Sequence, residues 1–519
     1  MKYEVGASHG VAPEHCLRKG VTMTGIAFAS RIRRQACAVG LGFILSAIVI
    51  QLGRAQTLQP PFSVVTSQPN PLTGLPGQNV AQQMMGQSIN NFCPTANSIA
   101  MPTAGQIDLK NLCSAMLGNG LQVQGKSFGM LGSFGLDASG LNGALQQLNG
   151  GAELVVPTSQ TSVTQTTQTT RQTSAIEERL SQLRNLTTGT ALAGASPRAG
   201  QVAALSTLEP DGRIIVEPGA PLQFASSTGP LGVFVNGLGQ FGSRDMTSTV
   251  NAFSFNNAGF IAGADYLFTP QLIAGLAFGY TRSSTNFDTS AVSAPGQFLR
   301  GDLLQGNLYA TYYNDAFYLN GIGLIGGSNN DSRRHIVLPN TVEGLPGDRI
   351  ATGSFGSQVQ GLSLSGGYSL PFGALILTPT ARLLYQHLGV DAFSENGALG
   401  ADLQFGSTSL NTFLSFLGAE AQYTISTPLG VLSPLARFHW AHQYTADNTA
   451  VSVAYSNDPS LLSSFILPGA QASRNYFDLG VGLALQVSRN GSAFINYDSI
   501  LGLNHTTYNS FTAGIRMTF

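Results

Sequence analysis

From Gly229 to Phe519 apolar residues recur at every second position, segment after segment, and this alternation limits the possible folds more than any other feature of the chain. In the last segment Phe511, Ala513, Ile515, Met517 and Phe519 share one face, and Thr512, Gly514, Arg516 and Thr518 share the other. Side chains of a strand alternate with period two, so one face is greasy and the other polar. The same split sets Phe477, Leu479, Val481, Leu483, Leu485 and Val487 against Tyr476, Asp478, Gly480, Gly482, Ala484 and Gln486. It sets Ala436, Phe438 and Trp440 against Arg437, His439 and Ala441. Twelve such segments read at 230–242, 256–269, 271–284, 300–314, 316–328, 357–371, 375–390, 408–426, 430–445, 473–489, 491–503 and 508–519. Tight junctions (Pro270, Asp315, Phe372-Gly373, Pro428-Leu429, Asn490-Gly491) contrast with long polar connections such as 285–299, 329–356 and 446–472. Short turns at one end and long loops at the other are the asymmetry of an outer-membrane barrel.

The alternative for such a pattern is a soluble β-sandwich or solenoid, and charge decides between them. Only 10% of the 519 residues are charged, against about 25% in soluble domains, and glycine is raised to 62 residues. After Lys126 the chain has no lysine at all. The few charges of the alternating region, among them Asp265, Arg382, Glu420, Arg437, Asp478, Asp498 and Arg516, fall opposite the greasy positions. A charge facing lipid costs about 2–4 kcal/mol at the bilayer midplane, so these seven side chains are expected to line a wet interior. Tyr266, Phe268, Tyr280, Tyr312, Tyr385, Tyr444 and Tyr508 sit near segment ends, where interfacial girdles form. Mean hydropathy is +0.11, yet the one long apolar run, Ala36 to Ile50, falls short of the ~20 residues of a spanning helix. The net charge of −1 provides no basic footprint for nucleic acid, which is not expected as a partner.

That apolar run follows Arg31, Arg33 and Arg34 and ends near Gly53-Arg54-Ala55, the layout of an export signal over residues 1–55 with a cut after Ala55. Met23 is an alternative start. Cys16 and Cys37 fall in the signal, leaving Cys93 and Cys113, which in an exported segment read as a disulfide. Its loop of about 20 residues is worth roughly 3 kcal/mol in the chain-entropy model. Residues 56–157 form a Gln-, Asn- and Gly-rich region, largely helical or irregular, with Leu141, Ala144, Leu145 and Leu148 at helical spacing. A polar linker follows over 158–228 and contains one helix at 174–186, with Ser174 as N-cap, Glu177 completing a capping box, and Ile176, Leu180 and Leu183 on one stripe.

The region 229–519 resembles the translocator domain of the classical (type V) autotransporters. The residues that carry the likeness are Tyr508–Phe519 ending in Phe, Tyr368-Ser-Leu-Pro-Phe-Gly373, and Gly263-Ala-Asp-Tyr266 followed by Leu276-Ala-Phe-Gly-Tyr280. Asn91-Phe-Cys93-Pro94, Asp108 to Cys113 and Ala144 to Gly151 are similar to a Cys-paired, helix-rich segment that precedes many such barrels. The resemblance implies an all-β, twelve-stranded antiparallel transmembrane barrel with helix 174–186 in its lumen. It implies a Gram-negative outer membrane as the location and 56–157 as a short passenger carried to the cell surface. It further implies the Sec export machinery, periplasmic chaperones, the barrel-assembly machinery and outer-membrane lipid as partners. Phe511, Ile515, Met517 and Phe519 would form the assembly signal. The competing reading is a passive pore whose N-terminal region stays periplasmic.

Chemistry is not expected. Gly125-Lys-Ser127-Phe-Gly129 matches a nucleophile elbow in form. No His lies between Gln56 and Arg334, however, so a Ser-His-Asp triad cannot be built within the passenger. His439 and His442, three apart on a strand, point to opposite faces and cannot share a metal. His387, His439 and His505 lie on separate strands. The sequence therefore predicts no catalytic, metal or cofactor residues.

Overall fold

The computed structural model describes residues 70–96, 99, 102–149, 170, 172–177, 180, 207–208, 214–215, 230–246, 252–287, 296–314, 316–445, 450–468, 473–487 and 491–519. The expected signal peptide with Cys16 and Cys37, most of the linker, and the C-terminal part of helix 174–186 lie outside these residues.

Each alternating segment is a strand: β1 Leu231–Arg244, β2 Phe253–Thr269, β3 Leu272–Phe287, β4 Phe298–Tyr313, β5 Phe317–Val337, β6 Asp348–Tyr368, β7 Leu375–Val390, β8 Thr408–Tyr423, β9 Gly430–Gln443, β10 Asn475–Gln486, β11 Gly491–Leu501 and β12 Thr506–Thr518. Every strand pairs antiparallel with its sequence neighbours, and β12 pairs with β1 from Thr506↔Arg244 to Thr518↔Gly232. The sheet closes on itself, so no strand presents an unpaired edge to lipid. Leu276, Leu308, Ile325, Leu417 and Val481 stand exposed on the outer face, while the intervening positions are buried inside. Gly373, with φ +66°, makes the tight turn between β6 and β7, a left-handed conformation that glycine adopts at little cost.

Two expectations are corrected at the long-loop end. The stretch 329–356 is not a loop: β5 and β6 run on as a paired hairpin through Asn329↔Gly356 to Val337↔Asp348. Beyond the lipid band no greasy outer face is needed, so polar residues can continue the ladder. The stretches 391–407 and 446–472 likewise hold short strands. Phe393–Ser394, Leu403–Phe405, Ala450–Tyr455 and Phe465–Pro468 pair in that order as a separate four-stranded sheet. A further two-residue ladder joins Thr207–Leu208 to Ile214–Ile215 within the expected linker.

Before the barrel come three helices, α1 Val80–Ala96, α2 Ala104–Val123 and α3 Ala138–Leu148. Thr103 caps α2 and forms a reciprocal capping box with Gln106. Asp137 caps α3 by accepting from the Gly140 N–H at 2.7 Å. Met85, Ile89 and Phe92 of α1 bury with Leu109, Leu112 and Met116 of α2 and Leu141, Leu145 and Leu148 of α3. Cys93 and Cys113 are disulfide-bonded with Cα atoms 5.5 Å apart, tying α1 to α2. No described helix is long and apolar enough to cross a membrane. The helices and the barrel belong to one compact unit that runs from Pro69 to Phe519.

Candidate functional site

The lumen is occupied by a helix. Thr170, Gln172–Glu177 and Leu180 are helical, and Ile176 and Leu180 bury against Phe234, Leu238, Ile261, Tyr309 and Ile322 on the inner faces of β1, β2, β4 and β5. The other side of the helix is polar. Gln172 Nε2 donates to Thr281 Oγ1 at 2.9 Å. Arg382 Nη1 donates to Glu177 Oε2 and to Ser174 Oγ, both at 3.0 Å, and Ser363 Oγ donates to Glu177 Oε1 at 3.1 Å. The Arg382 guanidinium also lies 3.9 Å from the centre of the Phe416 ring.

The helix starts earlier than its sequence signal indicates. Ser174 is not an N-cap: its hydroxyl donates to the Thr170 carbonyl one turn back, at 2.9 Å. Glu177 meets Ser363 and Arg382 in place of a capping box. Burial of Gln172 and Thr173 against the barrel wall carries the helix past the point where local propensity would begin it.

The seven charged side chains assigned to the interior from sequence all sit on inward positions of their strands. Asp265 is buried, with Tyr309 Oη donating to its Oδ2 at 3.4 Å. Arg437 and Asp498 form an ion pair between β9 and β11, and Glu420 lies opposite Arg437 in the β8–β9 register. Asp478 lies opposite His439 on β9. Arg382, Glu420, Arg437, His439 and Asp478 line a small polar cavity of about 40 Å³ beside the helix. Arg516 is half-buried on β12. Five of the seven, Arg382, Glu420, Arg437, Asp478 and Asp498, thus lie on β7–β11, whereas the apolar residues packed on the helix lie on β1–β5, where Asp265 is the one inward charge of the seven. Sequence alternation cannot reveal that division, because it sorts residues by face and not by position round the ring.

Phe511, Ile515, Met517 and Phe519 face outward and are exposed on β12, and the Phe519 N–H donates to the Leu231 carbonyl at 2.9 Å, where β12 meets β1. Ser127 lies in an irregular loop after α2, with neither a strand immediately before it nor a helix immediately after it. His439 faces inward and shares a 2.9 Å hydrogen bond with Thr380 Oγ1, while His442 pairs with Asn475 on the other face. His387 pairs with Asn411, and His505 occupies the turn before β12. Among the described residues no three His, Cys, Asp or Glu side chains converge where a metal ion could bind.

A closed antiparallel barrel with a greasy exterior, a charged lumen and a helix threaded through it defines an outer-membrane barrel that holds part of its own chain. Residues 233–498 match the family described as Autotransporter beta-domain, and the chain belongs to that family. It is an outer-membrane autotransporter of a Gram-negative bacterium. Outer membrane protein A of Rickettsia conorii (strain ATCC VR-613 / Malish 7) is 24% identical over 269 residues, 50% of this chain and 13% of that protein. Outer membrane protein A of Rickettsia rickettsii is 24% identical over 268 residues, 50% of this chain and 11% of that one. The matched part is thus a small fraction of those relatives' length. Among solved structures, the translocator domain of autotransporter NalP from Neisseria meningitidis is similar at 16% identity and a TM-score of 0.44, covering 56% of this chain and 89% of that one. The β domain of the Bordetella autotransporter BrkA is similar at 17% identity and a TM-score of 0.40, covering 56% and 100%.

Proposed function

We propose that the barrel carries residues 56–157 across the outer membrane and displays them at the cell surface. Within this reading residues 1–55 are the export signal, 158–228 the tether and 229–519 the translocator. The observation that carries it is the direction of the chain. The barrel begins at Leu231 on the short-turn end, the helix at 170–180 lies in the lumen, and α1–α3 pack on the long-loop end. In outer-membrane barrels the short turns are periplasmic and the long loops extracellular. Helices at 80–148 beyond the long loops, a helix at 170–180 in the lumen and a first strand that begins at the short-turn end support a chain path that runs outward through its own barrel.

The passive-pore reading keeps the N-terminal region in the periplasm, at the opposite end from where α1–α3 pack. Delivery by the Sec machinery and periplasmic chaperones, and insertion by the barrel-assembly machinery through Phe511, Ile515, Met517 and Phe519, complete the proposal. No catalytic role is assigned to the passenger, in which Ser127 has no histidine to activate it.

An epitope inserted near residue 100, between α1 and α2, tests this reading. Antibody bound to intact cells supports display. Binding only after the outer membrane is permeabilised overturns it.

A further inference from the structure

We propose that residues 70–149 are a stopper for their own barrel, completed by its extracellular loops and sealing its outer mouth. This deepens the display reading and rests on it. The helices do not bury their apolar faces among themselves alone. One continuous core runs from Leu72 to Leu148 into Ile336, Leu338, Leu403, Val451, Tyr455 and Leu467, all of which belong to strand extensions and loops of the barrel. Each half leaves grease in water without the other.

Polar contacts fix the seam. The Arg334 guanidinium, with no solvent exposure, donates from Nη1 to the carbonyl of Gln147 at 2.8 Å, satisfying an orphan acceptor at the C-terminus of α3. Arg349 forms a buried ion pair with Asp108 of α2. The same Asp108 accepts from the Gly400 N–H at 2.9 Å. Ser88 of α1 donates to the Ser463 carbonyl. These are buried groups that need a specific partner, so the loops recognise these helices and not a generic apolar surface.

The barrel wall departs from its own rule at this end. Lower in the lumen inward positions either carry charge, as on β7–β11, or pack on the lumenal helix, as on β1–β5. Near the long loops they carry Phe253, Phe255, Phe287, Leu299, Phe355 and Tyr508, all buried in the core that includes α1–α3. A water-filled channel has no use for that ring, whereas a seal requires it. The arrangement also makes translocation one-way: once the emerging helices dock, return through the lumen would re-expose the whole shared core.

The test uses the full-length chain in the outer membrane of intact cells, with the native disulfide intact, and reads the resistance of residues 70–149 to added protease, because the helix in the lumen would keep the barrel closed to ions whether or not they dock. Asp108→Arg places a cation against Arg349, and loss of the buried partner weakens docking by about a hundredfold or more. The wild type is expected to resist cleavage, Asp108→Arg to be cut within 70–149, and the double variant Asp108→Arg/Arg349→Asp to regain resistance. A wild type cut as readily as Asp108→Arg overturns the proposal. A second pair covers the case in which Asp108→Arg fails to assemble. A Cβ on Gly105 would lie 2.3 Å from Asn457 Oδ1, so Gly105→Cys/Asn457→Cys is expected to cross-link without added linker on the cell surface. Absence of that cross-link in a correctly inserted barrel sinks docking. The epitope near residue 100 separates the two readings: bound antibody with no cross-link means display without a stopper, while no bound antibody means that display itself fails.

Discussion

Arg334 and Glu395 form an ion pair at 0% and 1% side-chain exposure, at the long-loop end of the barrel and beneath α1–α3. Arg334 Nε donates to Glu395 Oε1 at 3.1 Å, Nη2 donates to the Ala401 carbonyl at 2.7 Å, and Glu395 Oε2 accepts from the Leu403 N–H at 3.0 Å. A single guanidinium therefore joins the β5 extension, the loop after β7 and the end of α3.

Removing it strands a buried carboxylate. Arg334→Met is expected to destabilise the docked region by about 3–5 kcal/mol. Limited proteolysis should then cleave 70–149 at a much lower denaturant concentration, while the heat-modifiable gel mobility of the barrel persists.

Asp402 gives the same region a pH dependence. Burial pushes its carboxyl up from an ordinary value near 3.8, and Glu395 adds to the rise, while the Ala398 N–H and Arg334 oppose it. The folded state thus binds the proton more tightly than the unfolded chain. Stability from this group is complete below about 3.8 and is lost as pH rises through its raised folded value. In urea titrations followed by proteolysis, Asp402→Asn should reduce the loss of resistance that the wild type shows over that window. An unchanged slope would remove Asp402 as its source.

The loop after β7 touches α2 backbone to backbone. A Cβ on Gly400 would lie 2.2 Å from the Leu109 nitrogen, and neither main chain can step aside cheaply. Gly400→Ala is expected to cost about 1–3 kcal/mol of docking, and Gly400→Val more, with β-strand content by circular dichroism unaltered.

Inside the lumen, Arg382 and Glu177 keep 10% and 19% side-chain exposure, so water softens the loss of either. Arg382→Met should lower the thermal midpoint of the plugged barrel by no more than about 2 kcal/mol equivalent. Arg382→Met/Glu177→Leu should recover much of that loss, since no uncompensated charge remains.

The twelve strands are legible because lipid outside and water inside impose one rule on every residue between the interfaces. Leu362 and Leu364 obey it by facing out on β6. Higher on the same strand Phe355 and Ala351 face in, because the apolar partner there is α1–α3 and the outer face meets water. The grease changes sides at the membrane boundary, and a search for one unbroken alternation ends the strand at that point. The early start of the lumenal helix is missed for a related reason: Ser174 and Glu177 form a good local cap signal, overridden by burial that no local window contains. Arg334, Arg349 and Gly400 leave no sequence signal of their own, since their partners lie far away in the chain.

The bond from Arg334 to the Gln147 carbonyl bears on anyone wishing to use this barrel as a display vehicle. Replacing 70–149 with foreign cargo would remove the Gln147 carbonyl from Arg334 and the Asp108 carboxylate from Arg349, and leave the buried phenylalanines without a roof. Cargo fused ahead of Asn70, with the native helices retained, keeps the scaffold whole.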